Sequence, residues 1–269
     1  MENFSGLSVA GVRVWGSQPI EWFPLMTDQR LAKVRKILAK AEDPAATPEE
    51  AELYTAKAAE LVAEYGIDRA LLAQADPTSD IVGDRVVVLD PPYALDKAGL
   101  LSTVAVRLRC RAVQRRRYVG GAKQISLHLF GYESDLLRSE LLYTSLLLQA
   151  TSSLTRTPVP WDESAAAFRR SWLAGFTSAI DRRLRDTEQR AQRSAERSAA
   201  PTGPSVSLVL ADRSVAVRNA VECEYPHLSK GQSRRLSGTG GMAGWQAGQR
   251  ADLGGGSGLG GRPRGQVAG

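Results

Sequence analysis

The sequence predicts a helix-rich α+β fold: an N-terminal helical hairpin, a small domain with a short sheet flanked by long helices, and a Gly/Arg-rich tail. Three observations support this prediction. Apolar residues recur at helical spacing through residues 27–75. Strand and hairpin patterns occupy residues 81–89 and 109–130. Apolar periodicity is lost in residues 227–269.

The predicted helical hairpin covers residues 26–76. Apolar residues from Leu31 to Ala41 repeat on one face of the first helix. Asp43-Pro44 ends it, because the residue before a proline is disfavoured in the α region. The run Thr47–Glu50 forms a capping box that starts the second helix. Gly66 is predicted to end that helix, and a short third helix is predicted to follow.

The run KVRKILAKAEDPAATPEEAELYTAKAAELVAEYGID resembles the domain-of-unknown-function family 2786, which occurs mostly in bacteria and their phages. The later runs LFGYESDLLRSELLYTSLLLQA and SWLAGFTSAIDRRL resemble the α/β domain that commonly follows the hairpin in that family, so the resemblance extends over roughly residues 26–225. The family has no assigned activity. The resemblance therefore implies an architecture and a bacterial or phage origin, and it implies no catalytic residue.

The predicted α+β domain covers residues 80–226. In its last hairpin strand, apolar and polar residues alternate from Gln124 to Phe130, so one sheet face is predicted to be buried and His128 lies on the polar face. The longest helix turns polar after Leu184, which predicts a solvated end that protrudes or pairs with a partner helix. The predicted elements are strands at 81–89, 109–119, 123–130 and 205–210, and helices at 94–108, 134–155, 163–199 and 212–225.

The two ends of the chain carry weaker patterns. Residues 1–25 show no clear helical or strand periodicity, so we expect an unstructured segment or a misassigned start, with translation beginning at Met26. Residues 227–269 are rich in Gly, Arg and Ser, which predicts a flexible or loosely docked tail.

Composition and the absence of known motifs argue against several classes of protein function. The two cysteines, Cys110 and Cys223, are too few for a disulfide framework and favour the reducing cytoplasm. No apolar run approaches the roughly 18 residues of a membrane span, so no membrane contact is expected. The chain has two histidines, no metal-ligand spacing, and no P-loop, HExxH or nucleophile-elbow motif. We therefore predict no cofactor, no metal site and no catalytic residue.

The net charge of +6 is unevenly distributed. Residues 1–80 carry 8 basic and 13 acidic side chains, whereas residues 81–160 carry 11 basic and 6 acidic ones. An acidic hairpin thus precedes a basic body, and this asymmetry is compatible with a polyanionic partner such as DNA or RNA.

The candidate binding surface is a basic strand pair supplemented by the tail. Alternation predicts that Arg107, Arg109 and Arg111 share one sheet face. Arginine offers planar donors that suit phosphate, and a tyrosine can stack on a base. The alternative is an edge hairpin that charge keeps soluble. The predicted nucleic-acid-binding residues are Arg107, Arg109, Arg111, Arg115, Arg116, Arg117, Tyr118, Lys123, Arg234 and Arg235.

The leading hypothesis is a nucleic-acid-binding accessory protein with low sequence specificity. The alternative is a protein-interaction module that docks a partner through the acidic hairpin of residues 27–75 or through the protruding helix. A third hypothesis is a metal-dependent hydrolase that uses carboxylates such as Glu133 and Asp135. Carboxylates at the start of a helix more often serve as caps.

Overall fold

The structure, a computed structural model, describes residues 12–15, 29–41, 48–199, 204–229, 231 and 234–251. Within these ranges the chain forms seven helices and a four-stranded sheet, which confirms the helix-rich α+β class. In chain order the elements are β1 Val12–Trp15, α1 Gln29–Ala41, α2 Pro48–Ala75, β2 Val82–Leu89, α3 Ala94–Arg107, β3 Arg111–Val119, β4 Ala122–Tyr132, α4 Glu133–Arg156, α5 Ala165–Ser198, α6 Val206–Glu224 and α7 Gly241–Arg250.

The sheet is antiparallel throughout, with the strand order β1-β2-β4-β3. Helices α3 and α4 cover one face, where Leu127 and Leu129 join the main hydrophobic core. Helix α6 covers part of the other face, where Phe130 packs against Val217 and Val221. The prediction of a single buried face is therefore wrong for β4, because a helix packs on each side of this central strand.

Helix α2 does not end at Gly66 but continues to Ala75, so the predicted stop and the separate third helix are wrong. The guanidinium of Arg138 lies against this position, and a Cβ at Gly66 would overlap it. Arg138 Nη1 also donates a hydrogen bond to the carbonyl of Val62, one turn earlier (3.2 Å). Gly66 therefore makes room for the buried side chain of Arg138, and it does not end the helix.

A buried network of ion pairs joins the helices. Arg138 has no exposed surface, and it donates from Nε to Asp135 (2.9 Å) and from Nη1 to Glu188 (2.9 Å). Arg213 reaches the same Asp135 at 3.3 Å. Because its charges neutralise one another, the network has no excess charge to offer to a ligand. Its members are Asp80, Arg109, Asp135, Arg138, Glu188 and Arg213.

The polar half of α5 does not protrude, contrary to the prediction. Thr187 and Glu188 are buried, and Ala191 and Ala195 pack against a cluster formed by α2 and α6. The expected strand at 205–210 is also wrong, because these residues start α6.

A carboxylate from α5 supplies the cap for α6. Glu196 accepts hydrogen bonds from the backbone N–H groups of Val206 (2.8 Å) and Ser207 (3.1 Å), and so replaces the missing helical partners at this terminus.

Two terminal segments are more ordered than the sequence predicts. Residues 12–15 form β1, which pairs with β2, while the rest of residues 1–25, including the expected unstructured start, lies outside the described residues. Helix α7 packs along α5, and a Cβ at Gly244 would overlap the backbone of Trp172. The prediction of a loosely docked tail is therefore wrong for residues 240–251, and residues 252–269 lie outside the described residues.

Candidate functional site

The β3–β4 hairpin extends beyond the helices that cover the rest of the sheet. Its turn is Gly120-Gly121, with φ of 57° and 79°, and the flanking Val119 pairs with Ala122. Two successive positive φ angles define the hairpin turn that matches strand twist, and glycine adopts them without strain. Every residue from Arg116 to Lys123 is exposed, and Tyr118 retains 76% of its surface. The predicted hairpin is therefore present, and its tip is open to solvent.

The register distributes the basic side chains over both faces of this tip. Arg111, Arg115 and Arg117 lie opposite Phe130, Ser126 and Gln124, on the face that α6 partly covers. Arg116 lies on the other face with Tyr118, whose cross-strand neighbour is Lys123. No ion pair joins any of these five cations to a carboxylate in the part of the chain that the structure describes. Arg111 begins β3, at the end of the strand away from the turn, and the other basic residues lie near the turn; we call Arg111, Arg115, Arg116, Arg117, Tyr118 and Lys123 together the basic tip.

Arg107 and Arg109 are not part of the basic tip, and the prediction that they share a sheet face with Arg111 is wrong. Arg107 is the last residue of α3, and its Nε and Nη2 donate to the two carboxylate oxygens of Asp181 (2.6 and 3.0 Å). Arg109 lies in the turn before β3 with φ of 69°, and it pairs with Glu188 at 2.6 Å. Both charges are used to hold α5 against the α3–β3 connection.

The two tail arginines lie in the segment before α7. Arg234 pairs with Asp96 in the first turn of α3 (2.8 Å), whereas Arg235 is exposed. Arg234 thus contributes to docking the C-terminal segment, and the structure does not bring either residue into contact with the basic tip among the described contacts.

A second polar group lies on the α6 face of the sheet, and the sequence did not reveal it. His128 Nε2 lies 2.7 Å from Asp84 Oδ2, and His128 Nδ1 lies 2.7 Å from the hydroxyl of Tyr225. Burial raises the pKa of Tyr225, an effect that the charges of Arg115 and Arg117 oppose. These residues come from β2, β4 and the end of α6, so no sequence spacing links them.

The carboxylates considered for metal chemistry are bound by arginines. Glu133 pairs with Arg85 at 2.6 Å, and Asp135 belongs to the buried ionic network. Across the described ranges, no group of three or more His, Cys, Asp or Glu side chains could hold a metal ion. Burial also raises the pKa of the Cys110 thiol to about 12, so it is not a nucleophile at neutral pH.

No helix in the described ranges is long and apolar enough to cross a bilayer. Residues 30–69 match the model of a family described as protein of unknown function (DUF2786). The matched segment begins at the second residue of α1 and includes most of α2. The match ends before β2, so it covers the helical hairpin and none of the basic tip. No curated protein and no solved structure matches the chain.

Proposed function

We propose that the protein is a nucleic-acid-binding accessory protein with low sequence specificity, and that the basic tip is its contact surface. The main support is that the arginines of the basic tip differ in ion pairing from the arginines that hold the helices together. Arg85, Arg107, Arg109, Arg138 and Arg213 each form an ion pair with a carboxylate, whereas the arginines of the basic tip form none within the described part of the chain.

The cations of the basic tip repel one another at this spacing, because none of them forms an ion pair within the described residues. Alternate residues on a strand, such as Arg115 and Arg117, lie about 7 Å apart, which is shorter than the Debye length of about 8 Å at physiological ionic strength. A polyanion that follows the strand relieves this repulsion and releases its own condensed counterions. The free energy of binding would therefore come mainly from phosphate contacts.

Low sequence specificity follows from the same chemistry. Phosphate contacts carry no sequence information, and a base that stacks on Tyr118 does so through a face that every base presents. The basic tip contains the exposed tyrosine beside cations on both sheet faces, which suits a single strand laid along the hairpin. The resemblance to a family that occurs in bacteria and their phages supports a cytoplasmic role in nucleic-acid metabolism.

Fluorescence anisotropy of labelled single-stranded DNA, duplex DNA and RNA, titrated with the full chain over a range of salt concentrations, tests this proposal. We expect binding that weakens steeply with salt and varies little with sequence. Absence of binding at low salt would refute the proposal. The protein-interaction module built on residues 27–75 would then become the working proposal.

A further inference from the structure

The Asp84–His128–Tyr225 group has the order of a base-activated nucleophile. A carboxylate can only accept hydrogen bonds, so His128 Nε2 donates to Asp84 Oδ2 (2.7 Å). In the tautomer that carries its only ring proton on Nε2, Nδ1 is an acceptor, and the phenolic O–H of Tyr225 donates to it (2.7 Å). A nucleophile bonded to a base, which a third group orients, is the arrangement of covalent catalysis.

The packing around His128 and Tyr225 fixes the positions of their rings, whereas the side chain of Asp84 is 57% exposed. His128 is 5% exposed, and its ring lies 4.2 Å from the ring of Phe130, centroid to centroid. The rings of Tyr225 and Phe130 meet edge-on, with their centroids 6.0 Å apart. The backbone N–H of Tyr225 donates to the carbonyl of Val221 (2.8 Å). Pro226 follows directly and restricts the backbone further. The hydroxyl is therefore held in place before any ligand arrives.

The basic tip supplies the charge that a phosphate would need beside this hydroxyl. Arg115 and Arg117 lie on the same sheet face as His128, since their cross-strand partners are Ser126 and Gln124. Burial raises the pKa of the Tyr225 hydroxyl, as do the charges of Glu224 and Asp84, and both guanidinium charges lower it. Cations in this position would bind a phosphodiester and stabilise the charge that grows on its oxygens during attack.

We propose that Tyr225 is a catalytic nucleophile that cleaves a phosphodiester of single-stranded nucleic acid, with His128 as the general base and Asp84 as the positioning residue. This activity rests on the proposed nucleic-acid binding. The phenolic oxygen attacks phosphorus while His128 Nδ1 takes the phenolic proton. A tyrosyl phosphodiester bond forms and one ester P–O bond breaks. The leaving oxygen takes a proton from water, and His128 returns its proton to solvent.

A trapping experiment with the full chain tests the inference. The probes are two end-labelled single-stranded DNA oligonucleotides, in which sulfur replaces either the 5′ or the 3′ bridging oxygen of one central phosphodiester. The sulfur leaves as a thiol and rejoins poorly, so the covalent protein–DNA adduct accumulates on a denaturing gel. We expect an adduct with one of the two probes, and mass spectrometry of its peptides is expected to place the DNA on Tyr225.

Matched variants separate the roles. Tyr225→Phe is expected to abolish the adduct and to keep the ring contacts, the melting temperature and DNA binding, whereas Tyr54→Phe retains the adduct. His128→Asn is expected to slow adduct formation by about 100-fold or more, because the amide is no base. Asp84→Asn is expected to slow adduct formation without changing the salt dependence of binding, and Asp84→Glu to restore the rate.

Anisotropy measured on the same samples distinguishes the two proposals. Binding of the probe without an adduct, or an adduct on a residue other than Tyr225, would overturn the nucleophile assignment and leave the proposed function intact. Absence of both binding and adduct would overturn both.

Discussion

Neutralising the three consecutive arginines of the basic tip should remove most of the salt dependence of nucleic-acid binding. The change is Arg115→Gln, Arg116→Gln and Arg117→Gln in one variant. These side chains form no ion pair with described carboxylates, and Arg116 and Arg117 are exposed while Arg115 is half-buried, so the fold loses little packing. Exposed substitutions of this kind change the free energy of unfolding by about 0.5 kcal/mol or less.

The magnitude follows from the number of cations in the basic tip, none of which forms an ion pair within the described ranges. If each of the five cations of the basic tip neutralises one phosphate, the slope of log K against log salt is about −4.5 on duplex DNA and about −3.5 on a single strand. Between 50 and 200 mM salt, duplex affinity then falls by about 500-fold and single-strand affinity by about 130-fold. With two cations left, the same salt change lowers the affinities by only about 12-fold and about 7-fold.

The assay is fluorescence anisotropy at several salt concentrations, with the melting temperature of each protein recorded beside it. The matched control is Arg169→Gln, Arg170→Gln and Arg182→Gln, which removes the same charge from exposed positions on α5. An unchanged slope in the hairpin variant would refute the assignment of the interface. An equal loss of slope in the α5 control would show that overall charge, rather than the basic tip, governs binding.

Three further outcomes are expected. Gly66→Ala should destabilise the fold by about 1–3 kcal/mol in denaturant unfolding, because the new Cβ meets the buried Arg138, and a stability gain would contradict this. Iodoacetamide at neutral pH should alkylate Cys223 and spare Cys110, as read by intact-protein mass, because burial raises the pKa of the Cys110 thiol; two labels on the folded protein would contradict it. Backbone hydrogen bonds from Ser207 and Val206 lower the pKa of Glu196, so its stabilising effect is present at neutral pH and is lost as pH falls through that lowered pKa. Glu196→Gln should therefore lower the melting temperature at neutral pH, and this effect should shrink steadily as the pH is lowered below the usual pKa of a glutamate; an effect that does not change with pH would contradict this.

The local elements were predicted where their signals lie within a few residues. The β3–β4 turn was predicted because Gly120-Gly121 stands between two strand-like runs, and the structure has the turn at that position. Helix α3 was predicted at 94–108 and ends at Arg107. In both places, the backbone conformation depends on residues that are neighbours in the chain.

The errors occur where a distant side chain changes the meaning of a local signal. Gly66 resembles a helix stop, but it serves to accommodate Arg138 from α4. Residues 205–210 resemble a strand, but Glu196 from α5 caps them as a helix. The alternation rule placed Arg107 and Arg109 on a strand, but the chain leaves a helix at that point and both arginines pair with α5.

The amino-acid sequence predicts the fold class, the helical hairpin and the β3–β4 turn, because apolar periodicity and turn residues act on neighbours in the chain. The tertiary structure sets which of the described arginines form ion pairs, because the carboxylate partners of Arg107 and Arg109 lie on another helix. It alone also brought Asp84, His128 and Tyr225 within hydrogen-bond distance, because strand register and helix docking are set by the packing of the whole core.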